Sequence, residues 1–164
     1  MLTAIDKLRY YQHPELTEGL IKEELVKRKL TVYGAKSSNI QLPYYLQKHT
    51  EDYDVLSKKP KKTAKEILNK FNRAYNGEYF ELKKGLHRGT YKIKSIVSGK
   101  TVMDITQEKK QQKYKEHLGI RYKELPSIKK SVQRVLKRGN AKFREDKDLE
   151  LLQRIELAQK TSLW

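Results

Sequence analysis

Residues 52–54 read Asp-Tyr-Asp within "EDYDVLSKKP", two carboxylates two residues apart in a stretch that otherwise reads as a buried strand. Successive strand residues point to opposite faces, so Asp52 and Asp54 share one face. Aspartate is a poor strand former, and two like charges side by side repel unless something positive lies between them. The same oddity recurs in "TVMDIT", where Asp104 sits between Met103 and Ile105. Those neighbours point to the opposite face and can enter a core, which leaves Asp104 on the other side. If the two segments are adjacent strands, three carboxylates converge. Carboxylate oxygens are hard ligands suited to Mg²⁺ or Mn²⁺, and three can hold two such ions. One ion would activate an attacking hydroxyl and the other would stabilise a leaving pyrophosphate. The alternative is an edge strand with a solvated acidic face, because exposed carboxylates are common.

A phosphate-binding candidate lies upstream, in "VYGAKSSN" at 32–39. A strand reads to its end at Gly34, small and hydroxyl residues follow, and a helix begins. Backbone N–H groups at a helix start favour phosphate. Gly34, Ala35, Ser37 and Ser38 are the candidate nucleotide-binding residues, and Lys36 adds charge. Ser-Ser-Asn ahead of a helix also serves as an ordinary cap. The spacing of "GAKSS" does not meet the Walker pattern, and neither a Ser-His-Asp arrangement nor zinc-type histidine spacing is present.

The elements that must position these residues follow from periodicity. Residues 15–29 carry Leu16, Leu20, Ile21, Leu25 and Val26 at helical steps. "LTVYG" reads as a short strand, and "SSNIQLPYYLQKH" as a helix interrupted near Pro43. After the 52–57 strand, "KKPKK" reads as a solvated turn, and Thr63 with Glu66 as a capping box opening a helix that Asn76-Gly77 closes. "EYFELKK", "TYKIKSIV" and "TVMDIT" read as strands, the last two joined by "SGK" in a hairpin. Beyond 107 the chain turns polar and basic, with two further helices in "LPSIKKSVQRVLKR" and "REDKDLELLQRIELAQ". The expected architecture is α+β, a mixed sheet flanked by helices, with a core over 1–107 and a basic C-terminal helical region over 108–164 packed on it or extending it.

With 37 Lys and Arg against 20 Asp and Glu in 164 residues, the formal net charge is +17. A charge of this size speaks for polyanionic partners. There is no cysteine, which removes disulfides and thiolate metal sites and fits a reducing compartment. No apolar run approaches the ~18 residues of a membrane span, and the N-terminal stretch lacks the apolar core of a secretory signal. The expectation is a soluble intracellular protein, cytoplasmic, with no membrane partner. In "GLHRGT", His87 and Arg88 are candidate phosphate or substrate contacts, as is Lys92 nearby. The tyrosines, among them Tyr10, Tyr11, Tyr44 and Tyr45, could stack on bases. Ordinary packing at the sheet edge is the preferred reading.

In order and approximate spacing, "VYGAKSSNIQLP", "DYDVLSKKP", "LHRGTYKIK" and "VMDIT" resemble the nucleotidyltransferase superfamily of DNA polymerase beta. The likeness is to the branch of poly(A) polymerase catalytic subunits from large DNA viruses, and it extends over roughly residues 20–158 with "GIRYKELPSIKKS" and "FREDKDLELLQRIE". The resemblance implies that Asp52 and Asp54 bind both of two Mg²⁺ or Mn²⁺ ions, that Asp104 completes the catalytic triad, and that the Gly34–Ser37 turn holds an NTP. It implies transfer of a nucleoside monophosphate, ATP being the poly(A) substrate, to a nucleic-acid 3′ end, RNA or DNA. Ala35 stands where the family has a second Gly or Ser. The family's polymerases carry further domains, so a protein partner supplying them is expected. Two other readings remain: a non-catalytic nucleic-acid-binding protein on a degenerate scaffold, and a minimal transferase that modifies a protein or a small molecule.

Overall fold

A computed structural model describes residues 1–161. Its centre is a seven-stranded mixed sheet in the order β3-β4-β5-β2-β1-β7-β6. The strands are β1 (Thr31–Tyr33), β2 (Tyr53–Ser57), β3 (Phe80–Lys84), β4 (Thr90–Ser95), β5 (Thr101–Gln107), β6 (Tyr114–His117) and β7 (Ile120–Lys123). The helices are α1 (Ala4–Gln12), α2 (Pro14–Arg28), α3 (Gly34–Ile40), α4 (Pro60–Tyr75), α5 (Leu125–Arg138) and α6 (Glu145–Lys160). The expected α+β class is the observed one.

Alternation along the strands sets the two faces. Val32, Tyr53, Val55, Ile93, Met103 and Ile105 are all buried on one side, packed against Ile21 and Leu25 of α2 and Ala64, Ile67 and Phe71 of α4. A second, smaller core joins the α3–β2 connection to the C-terminal helices through Leu42, Leu46, Leu125, Ile128, Val132 and Ile155. The two cores divide the work: the first holds the sheet flat against α2 and α4, and the second fixes α5 and α6 beneath α3. No described helix is long and apolar enough to cross a membrane.

Several sequence expectations are corrected. Pro60 is not in a turn but opens α4, where its missing N–H costs nothing. The Thr63–Glu66 capping box does not form: Thr63 is buried inside the helix against the Ser57 hydroxyl at 2.8 Å, and Glu66 pairs with Arg28 at 2.6 Å. The capping box lies instead at Thr3–Asp6, opening α1, an element without a strong apolar period. α3 ends at Ile40, and Pro43 begins a separate 3₁₀ turn over Tyr44–Leu46. The sheet also continues past 107. β7 pairs in parallel with β1 and carries β6 on its outer edge. All four residues of β6 are exposed, so its polar composition conceals a strand. The only local signals were the alternating Ile120 and Tyr122 and the turn at Leu118-Gly119, where both residues have positive φ.

Candidate active site

β2 and β5 are parallel neighbours, and their register sets Asp54 directly beside Asp104. Asp52 lies just before β2 on the same face, where Thr50 Oγ1 donates to it at 3.3 Å. One carboxylate oxygen from each of Asp52, Asp54 and Asp104 lies within 4.8 Å of the others. The adjacency that the alternation pattern required is therefore present.

The electrostatics of the cluster call for a cation. Burial, then the charges of Asp52 and Asp104, push the Asp54 carboxyl up to about 7. Lys92, the register partner of Asp104 on β4, places its ammonium 2.8 Å from Asp104 Oδ1. A second cation arrives from far along the chain. Arg144, in the 3₁₀ turn before α6, is near enough to Asp54 and Tyr33 for its charge to act on both, and Asp148 holds its Nε at 3.3 Å. Three oxygen donors at close spacing, with a half-buried member whose charge its acidic neighbours oppose, suit a hard cation, which would share Asp104 with the Lys92 ammonium. Asp52, Asp54 and Asp104 fit the expected Mg²⁺ or Mn²⁺ by this test.

Tyr33 closes the floor of the site. Its phenol meets Thr106 Oγ1 at 2.8 Å, and Thr106 meets Thr90 Oγ1 at 3.0 Å. Burial, with help from Asp54 and Asp104, pushes Tyr33 up to about 12, so it remains a neutral hydrogen-bonding wall.

Gly34 has φ +71° and faces Asp54, and a Cβ placed there would collide with the carboxylate. Only glycine meets both demands, the left-handed backbone and the close approach. Ala35 needs no such freedom, since it lies in the first turn of α3 without positive φ. Ser37 and Ser38 are fully buried. The Ser37 hydroxyl donates to the Lys123 carbonyl at 2.7 Å and that of Ser38 to the Ala35 carbonyl at 3.1 Å. Gln41 strengthens the junction by donating to the Ser37 and Lys123 carbonyls, both at 2.8 Å. The Ser37 hydroxyl thus locks α3 onto β7, and the Ser38 hydroxyl is engaged within α3 itself. Lys36 points to the other side of α3, its ammonium 4.8 Å from the centre of the Tyr53 ring. His87 and Arg88 are exposed in the β3–β4 turn, whose Gly89 carbonyl receives the Gln107 amide at 2.9 Å, three residues along β5 from Asp104. The structure does not bring them to the cluster. Sequence reasoning missed Arg144, for which no local pattern gave a signal.

The titration of Asp54 has a measurable consequence in metal-free protein. Between the ordinary carboxylate value of 3.8 and about 7, the folded chain keeps a proton that the unfolded chain has lost. The folded state then binds more protons, so stability falls as pH rises through that window and levels off above it. Chemical denaturation in EDTA from pH 4.5 to 8 is expected to show this decline, and Asp54→Asn is expected to remove most of it.

No family profile matches the chain, and no curated protein does. Among solved structures, the Megavirus polyadenylate synthase superposes with a TM-score of 0.78 at 18% identity, over 90% of this chain and 32% of that one. The chain thus spans about a third of the length of that enzyme. The fold described above is shared with that polyadenylate synthase.

Proposed function

We propose that this protein is a metal-dependent nucleotidyltransferase that moves a nucleoside monophosphate from an NTP, ATP by the likeness to a polyadenylate synthase, to the 3′ hydroxyl of a nucleic acid. The observation that carries this reading is the register of Asp54 beside Asp104, with Asp52 on the same face, on a fold shared with a polyadenylate synthase. In the transfer, the acceptor oxygen forms a bond to the α-phosphorus, the bond from that phosphorus to the α–β bridging oxygen breaks, and pyrophosphate leaves. Asp52, Asp54 and Asp104 would hold two Mg²⁺ or Mn²⁺ ions, which would supply the charge neutralisation that such a step needs. Asp104 takes the proton of the attacking hydroxyl. Lys92 offsets the charge on Asp104, and Arg144 brings positive charge towards the triphosphate.

The Gly34–Ser38 segment is the proposed triphosphate seat. Because both serine hydroxyls are engaged elsewhere, the contacts fall to the backbone N–H groups of Gly34 and Ala35. The net charge of +17 supports a nucleic-acid acceptor. We assign the protein to the cytoplasm, as a viral enzyme acting there with a protein partner. The inward-turned serines and Ala35 favour a second reading, a nucleic-acid-binding protein without transferase activity on the same scaffold.

Labelled NTPs offered with Mn²⁺ or Mg²⁺ to an RNA primer, a DNA primer and no primer separate these readings. Primer extension is expected, stronger with ATP than with the other three. Label on the protein itself would indicate protein modification. No incorporation under any combination, with nucleic-acid binding intact, would establish the binding-only reading.

A further inference from the structure

A cleft of about 660 Å³ is lined in part by Thr50 and Tyr53, the residues on either side of Asp52 in its segment. Its size falls within the roughly 300–1,000 Å³ of ordinary ligand sites. Tyr44, Tyr45, Lys22, Lys36, Lys48 and Thr50 are among its lining residues. Tyr44 is 89% exposed and Tyr45 61% exposed. This overturns the expectation that these two rings pack at the sheet edge. Tyr10 does pack, against Tyr75 and Phe80.

The exposed rings do not belong to a loose loop. Asn39 holds Lys48 at both ends of its peptide group, donating to its carbonyl and accepting from its amide at 3.0 Å. Gln47 donates to the Leu42 carbonyl at 2.9 Å, and Arg154 of α6 donates to the Leu46 carbonyl at 3.0 Å. Leu42 and Leu46 are buried in the second core. The 3₁₀ turn is therefore anchored before, within and after the tyrosines, yet presents both rings to solvent. Burying them elsewhere would have been favourable by their area alone. A pinned pair of exposed aromatic rings flanked by lysines has the chemistry that takes an unpaired base on a ring face and a phosphate on an ammonium.

We propose that Tyr44 and Tyr45, with Lys22, Lys36 and Lys48, form a stacking subsite for unpaired bases of a single-stranded nucleic acid whose 3′ end reaches the carboxylates across Asp52. The inference deepens the transferase reading and rests on it for the direction of the strand. The occupant is committed by charge: three lysines and His49 line the cleft on a chain of net charge +17, and the carboxylates that reach Lys22, Lys48 and His49 (Glu18, Glu150 and Glu51) do so only at 3.6 Å and from exposed positions, while Lys36 lies over the Tyr53 ring. Thr50 and Tyr53 face the cleft while Asp52, between them, faces the cluster, so one short segment connects the two sites.

The test measures fluorescence anisotropy of labelled oligo(A), oligo(dT) and a duplex of the same length, in EDTA and without NTP, so that neither metal nor turnover contributes. Tyr44→Ala/Tyr45→Ala is expected to weaken single-strand binding about tenfold, with duplex binding and the salt slope unchanged. Tyr44→Phe/Tyr45→Phe, which keeps the ring faces, is expected to bind like wild type. Far-ultraviolet circular dichroism confirms folding of each variant, which the exposure of both rings makes the expected result. Single-strand binding indifferent to the alanine pair, an equal loss for duplex, or competition by AMP as effective per base as the strand would overturn the proposal. Loss of nucleotide transfer with this binding pattern intact would count against the transferase reading alone.

Discussion

Asp54→Asn is expected to reduce nucleotide transfer by about a thousandfold or more while leaving the metal-free protein at least as stable as wild type at pH 8. The two halves of this result have one cause. Asp54 is a half-buried carboxyl whose ionisation is opposed by burial and by Asp52 and Asp104. Without a cation, its charge is a burden on the fold, and a neutral amide of the same shape relieves it. With a cation bound, the same charge becomes a ligand, and its loss removes several kcal/mol of charge stabilisation from the transfer step. A ligand that binds only the folded state raises the melting temperature. Mn²⁺ is accordingly expected to raise the wild-type melting temperature at pH 8 and to leave Asp54→Asn unmoved. Differential scanning fluorimetry with and without Mn²⁺, alongside a primer-extension assay, reads both halves. A variant that extends primers at the wild-type rate would remove Asp54 from the chemistry. A variant that still melts higher with Mn²⁺ would place the metal elsewhere.

Gly34→Ala is expected to be the most damaging single methyl group that can be added near the site. Two effects combine. The backbone there has φ +71°, a left-handed conformation that costs an alanine roughly 1–2 kcal/mol. The new Cβ would also press on Asp54, whose Cγ would lie 3.1 Å away. The cheaper relief is rotation of the carboxylate, the free end of a short side chain, rather than movement of β1 or β2. Such relief spares the fold but turns a ligand out of place. Activity is therefore expected to fall by about a hundredfold or more, because misplacement by an ångström in a positioned site is enough, while stability falls by the backbone strain and, on top of it, the cost of displacing the carboxylate. A double-mutant cycle with Asp54→Ala separates the two effects. In the Asp54→Ala background the carboxylate is gone and only the Cβ, 3.2 Å from the new methyl group, remains, so the stability cost of Gly34→Ala should shrink towards the strain. Equal costs in both backgrounds would show that the contact between Gly34 and Asp54 contributes nothing.

Much of the site was legible because strand alternation is a local property. Asp52 and Asp54 had to share a face, and Asp104 had to oppose Met103 and Ile105, whatever surrounded them. The helices over 125–138 and 145–160 were equally plain, since their apolar residues recur at helical steps. β6 and α1 were not, for the complementary reason: an exposed edge strand and a mostly exposed helix leave little apolar period to read. Thr63 shows a local signal overruled by packing. Its capping pattern was genuine, but Pro60 began the helix three residues earlier and Ser57 took the hydroxyl.

By itself, then, the chain's order of residues determined which side chains look the same way along each strand, where most helices run, and that the whole carries strong positive charge. Which strands are neighbours was decided only in three dimensions. Asp54 meets Asp104 because β5 pairs in parallel with β2, a contact between segments about fifty residues apart by their numbering in the sequence, and pairing across such a distance depends on closing the chain over α4 and the β3–β4 hairpin rather than on any local preference. The same holds for Lys92 on Asp104, for Arg144 near Asp54, and for the serine hydroxyls drawn inward by the carbonyls of Lys123 and Ala35. A residue's type states what it can bind; only the packed sheet decides what stands close enough to be bound.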